Sequence, residues 1–181
     1  MACALVTGAG RGLGAAIALK LAEQGIQVTG TVRDPERAKT LSDKKIEHIR
    51  YQALELGGER VAQDIDALVE TYSTSGLDIL VHNAGYGLFG PVEHIDDAAE
   101  LHQFRVNVLD PMRLTRALLP ALKQQKGKII FVGSLAGRIT LPFQGHYSAT
   151  KAAMASLAEA LRMELAPENV QVTCIEPGDF A

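Results

Sequence analysis

The sequence predicts a doubly wound α/β domain, a parallel sheet with helices on both faces. Three observations carry that expectation. Short apolar runs alternate with longer amphipathic segments along the whole chain, the pattern of βαβ units joined by right-handed crossovers. A glycine-rich stretch, TGAGRGLG at 7–14, falls where the first strand meets the first helix, as in mononucleotide-binding halves. Finally, 181 residues with 47% apolar and 22% charged side chains suffice for a single domain with its own core.

The elements follow in order. ACALVT (2–7) reads as the first strand and LGAAIALKLAEQ (13–24) as the first helix, with Gly25 as its C-terminal cap. IQVTGTV (26–32) is the second strand. DPERAKTL (34–41) starts a short helix, with Asp34 as N-cap and Pro35 at the first helical position. EHIRYQA (47–53) is the third strand, GERVAQDIDALVETYS (58–73) a helix, and LDILVHN (77–83) the fourth strand. A long helical stretch over about 96–124 carries Pro111 and Pro120. KGKIIFVGS (126–134) is the fifth strand, the helix that carries YSATK (147–151) runs to about 165, and NVQVTCIEP (169–177) is the sixth strand.

Composition narrows the function classes. A net charge of −3 gives no footprint for nucleic acid. The longest apolar runs, such as KIIFVGSLAG, are too short to span a bilayer. Cys3 and Cys174 each sit in an apolar run that reads as a core strand, so both are expected as buried thiols. Without a disulfide framework or a secretory leader pattern, a reducing cytoplasm is the expected location. The five histidines (48, 82, 94, 102 and 146) lack metal-ligand spacing, so no metal site is expected.

Two stretches carry chemistry. In YSATK (147–151), Tyr147 and Lys151 stand four apart and share one helix face. An ammonium beside a phenol favours the ionised form, drawing a tyrosine down from its usual value of about 10. Such a tyrosine exchanges protons at working pH. In the glycine turn, small residues allow a tight bend and close approach to a pyrophosphate, and the helix N-terminus offers free N–H groups and a positive dipole end.

These features together resemble the short-chain dehydrogenase/reductase family over the whole chain. Thr7, Gly8, Gly12 and Gly14 match its T-G-x-x-x-G-x-G signature, and HNAG (82–85) matches N-N-A-G with His82 in place of the first Asn. Asn107, Ser134, the spacing to Tyr147 and Lys151, and Pro177-Gly178 complete the set. The resemblance implies a Rossmann-like fold and hydride transfer between a nicotinamide and a carbonyl or alcohol carbon. It makes Tyr147 the general acid/base, Lys151 its partner and a holder of the nicotinamide ribose, and Ser134 the group that polarises the substrate oxygen. It assigns the Asn107 carbonyl to a water that relays protons to the lysine. The residue four beyond Asn107 is Pro111, which has no N–H to occupy that carbonyl; the alternative is an incidental kink.

Cofactor contacts are expected from Gly8, Arg11, Gly12, Leu13, Gly14, Arg33, Glu55, Asn83, Ala84, Gly85, Tyr147, Lys151, Pro177 and Gly178. Asn83 would brace the central strands or cap a strand end. Ala84 and Gly85 would admit the adenosine ribose or mark a turn. Glu55 stands where the family has an adenine-contacting Asp, or is a solvated carboxylate. His146 would line the substrate pocket or be a loop histidine. At the end of the second strand the acidic position of NAD enzymes falls on Val32, followed by Arg33. A guanidinium suits a 2′-phosphate, so NADP(H) is favoured over NAD(H), with Asp34 as the rival carboxylate.

The resemblance implies a small-molecule carbonyl or alcohol substrate; GYGLFGPV (85–92) and ITLPFQGH (139–146) are mildly apolar and resemble the corresponding stretches of members acting on lipophilic carbonyls. No membrane or nucleic-acid partner is expected. Family members pair through the long helix and the tyrosine helix, which implies a homodimer or homotetramer. The rival readings are a non-catalytic nucleotide-binding protein and an inactive fragment. The family's sheet continues with a seventh strand, so the 181 residues are expected to be part of a longer protein, a single domain lacking its C-terminal strand.

Overall fold

A computed structural model describes residues 1–34 and 48–178. The strands are β1 (Cys3–Val6), β2 (Gln27–Val32), β3 (Ile49–Ala53), β4 (Ile79–His82), β5 (Lys128–Val132) and β6 (Gln171–Ile175). The helices are α1 (Gly12–Glu23), α2 (Val61–Tyr72), α3 (Asp97–Phe104), α4 (Asp110–Gln125) and α5 (Gly145–Glu164). The strands form one sheet in the order β3-β2-β1-β4-β5-β6, and every pairing is parallel. The order reverses between β1 and β4, where open α/β sheets bind ligands at the carboxyl ends of their strands. The helix expected at 34–41, with its Asp34–Pro35 cap, lies outside the described residues apart from Asp34.

Period-two alternation assigns β1 to both layers. Leu5 joins one core with Leu80, Ile129 and Phe131 beneath α2, α4 and α5. Ala4 and Val6 join the other with Val28, Val81 and the α1 residues Ala18 and Ala22. The buried residues of α1 are Gly14, Ala18 and Ala22, four apart on one face, so the helix lies close on the sheet. Its end is fixed by Gly25 at φ 78, whose N–H donates to the Ala22 carbonyl while that of Ile26 reaches Leu21, a Schellman motif.

Three expectations change in detail. The long helical stretch is two α-helices joined by a π turn over Arg105–Leu109. The tyrosine helix begins at Gly145, so His146 lies in its first turn and not in a loop. Cys3 and Cys174 are free thiols that are only half-buried: Cys3 begins β1, and Cys174 lies on the outermost described strand, covered from one side.

Candidate active site

The glycine turn is built from β1 and β4 together. Buried Thr7 accepts, at Oγ1, the N–H groups of Asn83 and Ala84, each at 3.0 Å, and donates to the Val81 carbonyl at 3.3 Å. Asn83 returns the contact, its Nδ2 donating to the Thr7 carbonyl at 2.9 Å and to that of Gly8 at 3.3 Å. Gly8 and Gly12 have φ 68 and 56, backbone that favours glycine. At Gly14 a Cβ would stand 2.3 Å from the Gly8 oxygen and 2.4 Å from Asn83 Nδ2, so glycine lets α1 start against the turn. No side chain caps α1, and no acidic residue sits in its first turn. Its N-terminus therefore keeps its donors and positive dipole end for an anion. That is the environment a dinucleotide pyrophosphate requires, and the residues present fit it.

Beyond the turn lies a cleft of about 1140 Å³, bordered by Arg11, Gly12, Arg33, Asp34, Glu55 and Ala84 among others. Arg33 is exposed at its edge. Glu55 is exposed too, and its backbone N–H is held by Asp64 Oδ2 at 3.1 Å. A second cavity, of about 610 Å³, is lined by Ser134, Tyr147, Lys151, Pro177 and Gly178. Leu13, Asn83, Gly85 and Tyr86 border both spaces, so the two are continuous.

The second cavity gathers the residues expected to do chemistry. Ser134 precedes a 3₁₀ turn (Leu135–Gly137), and its Oγ accepts the Ala136 N–H at 3.1 Å. The bond uses an acceptor position and leaves the hydroxyl proton to be donated. Lys151 is 9% exposed, and its Nζ donates to the Val132 carbonyl at 2.8 Å. That Nζ lies 5.7 Å from the centre of the Tyr147 ring. Burial lowers the Lys151 pKa, opposed in part by nearby Cys174. Pro177 is fixed through its carbonyl, which accepts the Leu135 N–H at 2.9 Å.

Asn107 occupies the π turn, 4% exposed. Its Oδ1 accepts the Tyr86 N–H at 3.0 Å, and its Nδ2 donates to the Tyr86 carbonyl at 2.8 Å and to Thr150 Oγ1 at 3.0 Å. Thr150 passes its own proton to the Tyr147 carbonyl at 2.7 Å. Gly85 packs close to this residue: a Cβ there would stand 3.1 Å from Asn107 Oδ1, a tight contact.

Several participants lack an assignment from sequence. Thr150, inside YSATK itself, and Tyr86, just after HNAG, join the two halves of the site. Phe89 lines the cavity with its ring centre 6.0 Å from that of Tyr147. His82 lies outside the cavity, 4% exposed and stacked on Phe131 at 4.8 Å. Its Nε2 meets Thr115 Oγ1 at 2.8 Å. Because Thr115 donates onward to the Pro111 carbonyl at 2.9 Å, the imidazole is the donor. Its Nδ1 is buried without a partner, and burial lowers its pKa from 6.5 to about 3. His146 is absent from the cavity lining; its Nε2 lies 3.6 Å from Glu100 Oε1. Among the described residues, no group of three or more His, Cys, Asp or Glu could hold a metal ion, and no helix is long and apolar enough to cross a membrane.

The chain matches the family model for short chain dehydrogenases over residues 2–181. An NADPH-dependent 3-dehydrocapnine reductase from Ornithobacterium rhinotracheale is 35% identical over 98% of this chain and 65% of its own length. A 3-ketodihydrosphingosine reductase from Bacteroides thetaiotaomicron is 33% identical over 97% of this chain and 63% of its own. This chain thus spans just under two thirds of both curated relatives. Among solved structures, a metagenomic short-chain oxidoreductase in complex with NADP aligns with a TM-score of 0.89 at 33% identity, covering 99% of this chain and 83% of that one.

Proposed function

We propose that this chain, which belongs to the short-chain dehydrogenase family, transfers a hydride between NADP(H) and a lipophilic carbonyl compound or secondary alcohol. The observation that carries this reading is the junction of two spaces, the glycine-turn cleft and the cavity of Ser134, Tyr147 and Lys151, across Leu13, Asn83, Gly85 and Tyr86. A cofactor lying across that junction would have its pyrophosphate at α1 and its nicotinamide end beside Tyr147.

A bound nicotinamide supplies the hydride. The chain's residues manage the proton and the charge. Ser134 donates its hydroxyl proton to the substrate oxygen and polarises the carbonyl. Tyr147 gives its phenolic proton to that oxygen as it becomes an alkoxide, and takes it back in the oxidative direction. Lys151 keeps positive charge beside the phenol. The Asn107 carbonyl, lacking an α-helical donor at Pro111, offers an acceptor for a water that resupplies protons to Lys151.

The choice of NADP(H) rests on Val32 and exposed Arg33 at the end of β2, which border the cleft, and on the NADPH-dependent relative and NADP-bound neighbour. Arg11 adds positive charge beside them, and Asp34 is the residue through which NAD(H) would be read instead. Lipophilic character is supported by the apolar cavity rim and by the sphingoid relative. We further place the protein in the cytoplasm as a single-domain homodimer or homotetramer. Exposed Leu101 (53%) and Leu109 (51%) lie along the stretch that would form the contact, and light scattering would give the stoichiometry.

The decisive experiment is initial-rate kinetics of the full natural chain on a panel of lipophilic ketones with NADPH and with NADH. Reduction with NADPH at least tenfold more efficient than with NADH is expected. Failure to oxidise either cofactor with any carbonyl would sink the proposal.

A further inference from the structure

We propose that Phe89 determines which carbonyl compounds the site accepts, selecting uncharged molecules with an extended apolar substituent. The inference rests on the hydride-transfer reading and names the substrate class within it.

Three observations locate Phe89. Its ring folds back onto its own backbone: a Cβ at Gly87 would meet ring atoms at 2.4, 2.8 and 3.1 Å, so a larger residue at 87 would displace it. Tyr147 stands beside it, ring centres 6.0 Å apart and planes at 55°, within the range of tilted aromatic pairs. The adjacent Gly90 N–H donates to the Phe143 carbonyl at 2.9 Å, latching the segment after β4 to the one before α5. Gly90 has φ 157 and Phe143 φ 64. The second is left-handed backbone that a bulky residue adopts only when tertiary structure holds it there. The strained residue thus supplies the latch that sets Phe89 at the mouth of the cavity.

So held, Phe89 remains 62% exposed and lines the catalytic cavity. Leu135 (47%), Ile139 (57%) and Leu141 (50%) line the same space. Four large apolar side chains therefore surround the approach to Ser134 and Tyr147. Lys151 is the one charged side chain in the lining among the described residues, and its ammonium is turned to the Val132 carbonyl. A substrate carboxylate or phosphate on this wall would lose its water and gain no counter-charge. An alkyl chain would cover the apolar rim, gaining about three- to fourfold in binding per methylene buried.

The test is kcat/KM of the full natural chain with NADPH on 2-butanone, 2-hexanone and 2-octanone, and on a keto acid as long as the octanone. Efficiency is expected to climb about three- to fourfold per methylene, with the keto acid at least about tenfold below the octanone. Phe89→Ala should cut the octanone-to-butanone ratio about tenfold, chiefly through KM, and Phe89→Leu should restore part of it. NADPH fluorescence titration of each variant reports whether the fold is intact. Turnover with an unchanged ratio in Phe89→Ala, or a keto acid as good as the octanone, overturns this inference alone. No turnover of any ketone overturns the reductase reading and this inference with it.

Discussion

The buried histidine of β4 should give the protein a measurable acid sensitivity. His82 is 4% exposed, stacked on Phe131, and held neutral by burial, with its pKa lowered from 6.5 to about 3. The unfolded chain binds a proton near its ordinary value, whereas the folded chain does not until far lower pH. Between those values the unfolded state carries more protons, so stability rises with pH. The contribution is fully present above about pH 6.5 and is lost as pH falls toward 3. Over the whole window it amounts to about 5 kcal/mol, and by about pH 5 the loss has reached about 2 kcal/mol. His82→Asn removes the titrating group but keeps an amide donor on a shorter side chain. It should cost stability at every pH through lost packing on Phe131, yet flatten the acid limb. Urea unfolding of the full natural chain at about pH 5 and pH 8 measures both effects. The unmutated protein should lose about 2 kcal/mol more than the variant between those pH values. The other histidines and the carboxylates are common to both proteins and cancel in the difference. Parallel pH dependences would refute the argument, because His82 would then titrate alike in the folded and unfolded chains.

Three further outcomes follow from the site. Tyr147→Phe should reduce turnover below about a tenth while leaving NADPH binding nearly unchanged; the chain has no Trp, so cofactor fluorescence enhancement reports binding cleanly. Arg33→Ala should weaken NADPH by about ten- to hundredfold and NADH far less, and equal weakening of both would move the assignment to Asp34 and NAD. Gly14→Ala would place a Cβ 2.3 Å from the Gly8 carbonyl oxygen and 2.4 Å from Asn83 Nδ2. We expect a thermal destabilisation of about 1–3 kcal/mol and at least tenfold weaker cofactor binding, and a variant within twofold in calorimetric affinity would remove the turn from the cofactor site.

The alternation of strand and helix is legible because most strands here are short apolar runs between turn residues, β3 (IRYQA) being the exception, and TGAGRGLG marks the place where β1 must turn sharply. Tyr147 and Lys151 were legible because their relation is local, a single helical turn. Pro111 even located a break in the helical ladder, and the π turn lies just before it. What stayed hidden depends on contacts distant in sequence. Nothing near Phe143 requires φ 64; the latch that uses its carbonyl comes from Gly90. Nothing near His82 foretells its stacking on Phe131 or its bond to Thr115. The start of α5 is not legible because Gln144, Gly145 and His146 carry no N-cap signal, and no side chain caps that helix.

The hydrogen bonds also divide the work between backbone and side chain at Asn107. Both protons of its amide are spent, one on the Tyr86 carbonyl and one on Thr150, and its Oδ1 accepts from the Tyr86 N–H. That side chain has no proton left for a substrate. What it does is join three elements: the segment after β4 through Tyr86, the π turn on which it sits, and α5 through Thr150, which in turn holds the Tyr147 carbonyl. The residue therefore braces the start of α5 at Tyr147 with its side chain, and any part it has in proton supply must run through its carbonyl. A π turn followed by a proline suits both a bracing amide and an open carbonyl. The wider turn brings the amide to Tyr86 and Thr150, and the missing N–H of Pro111 withholds from the carbonyl the donor an α-helix would have supplied.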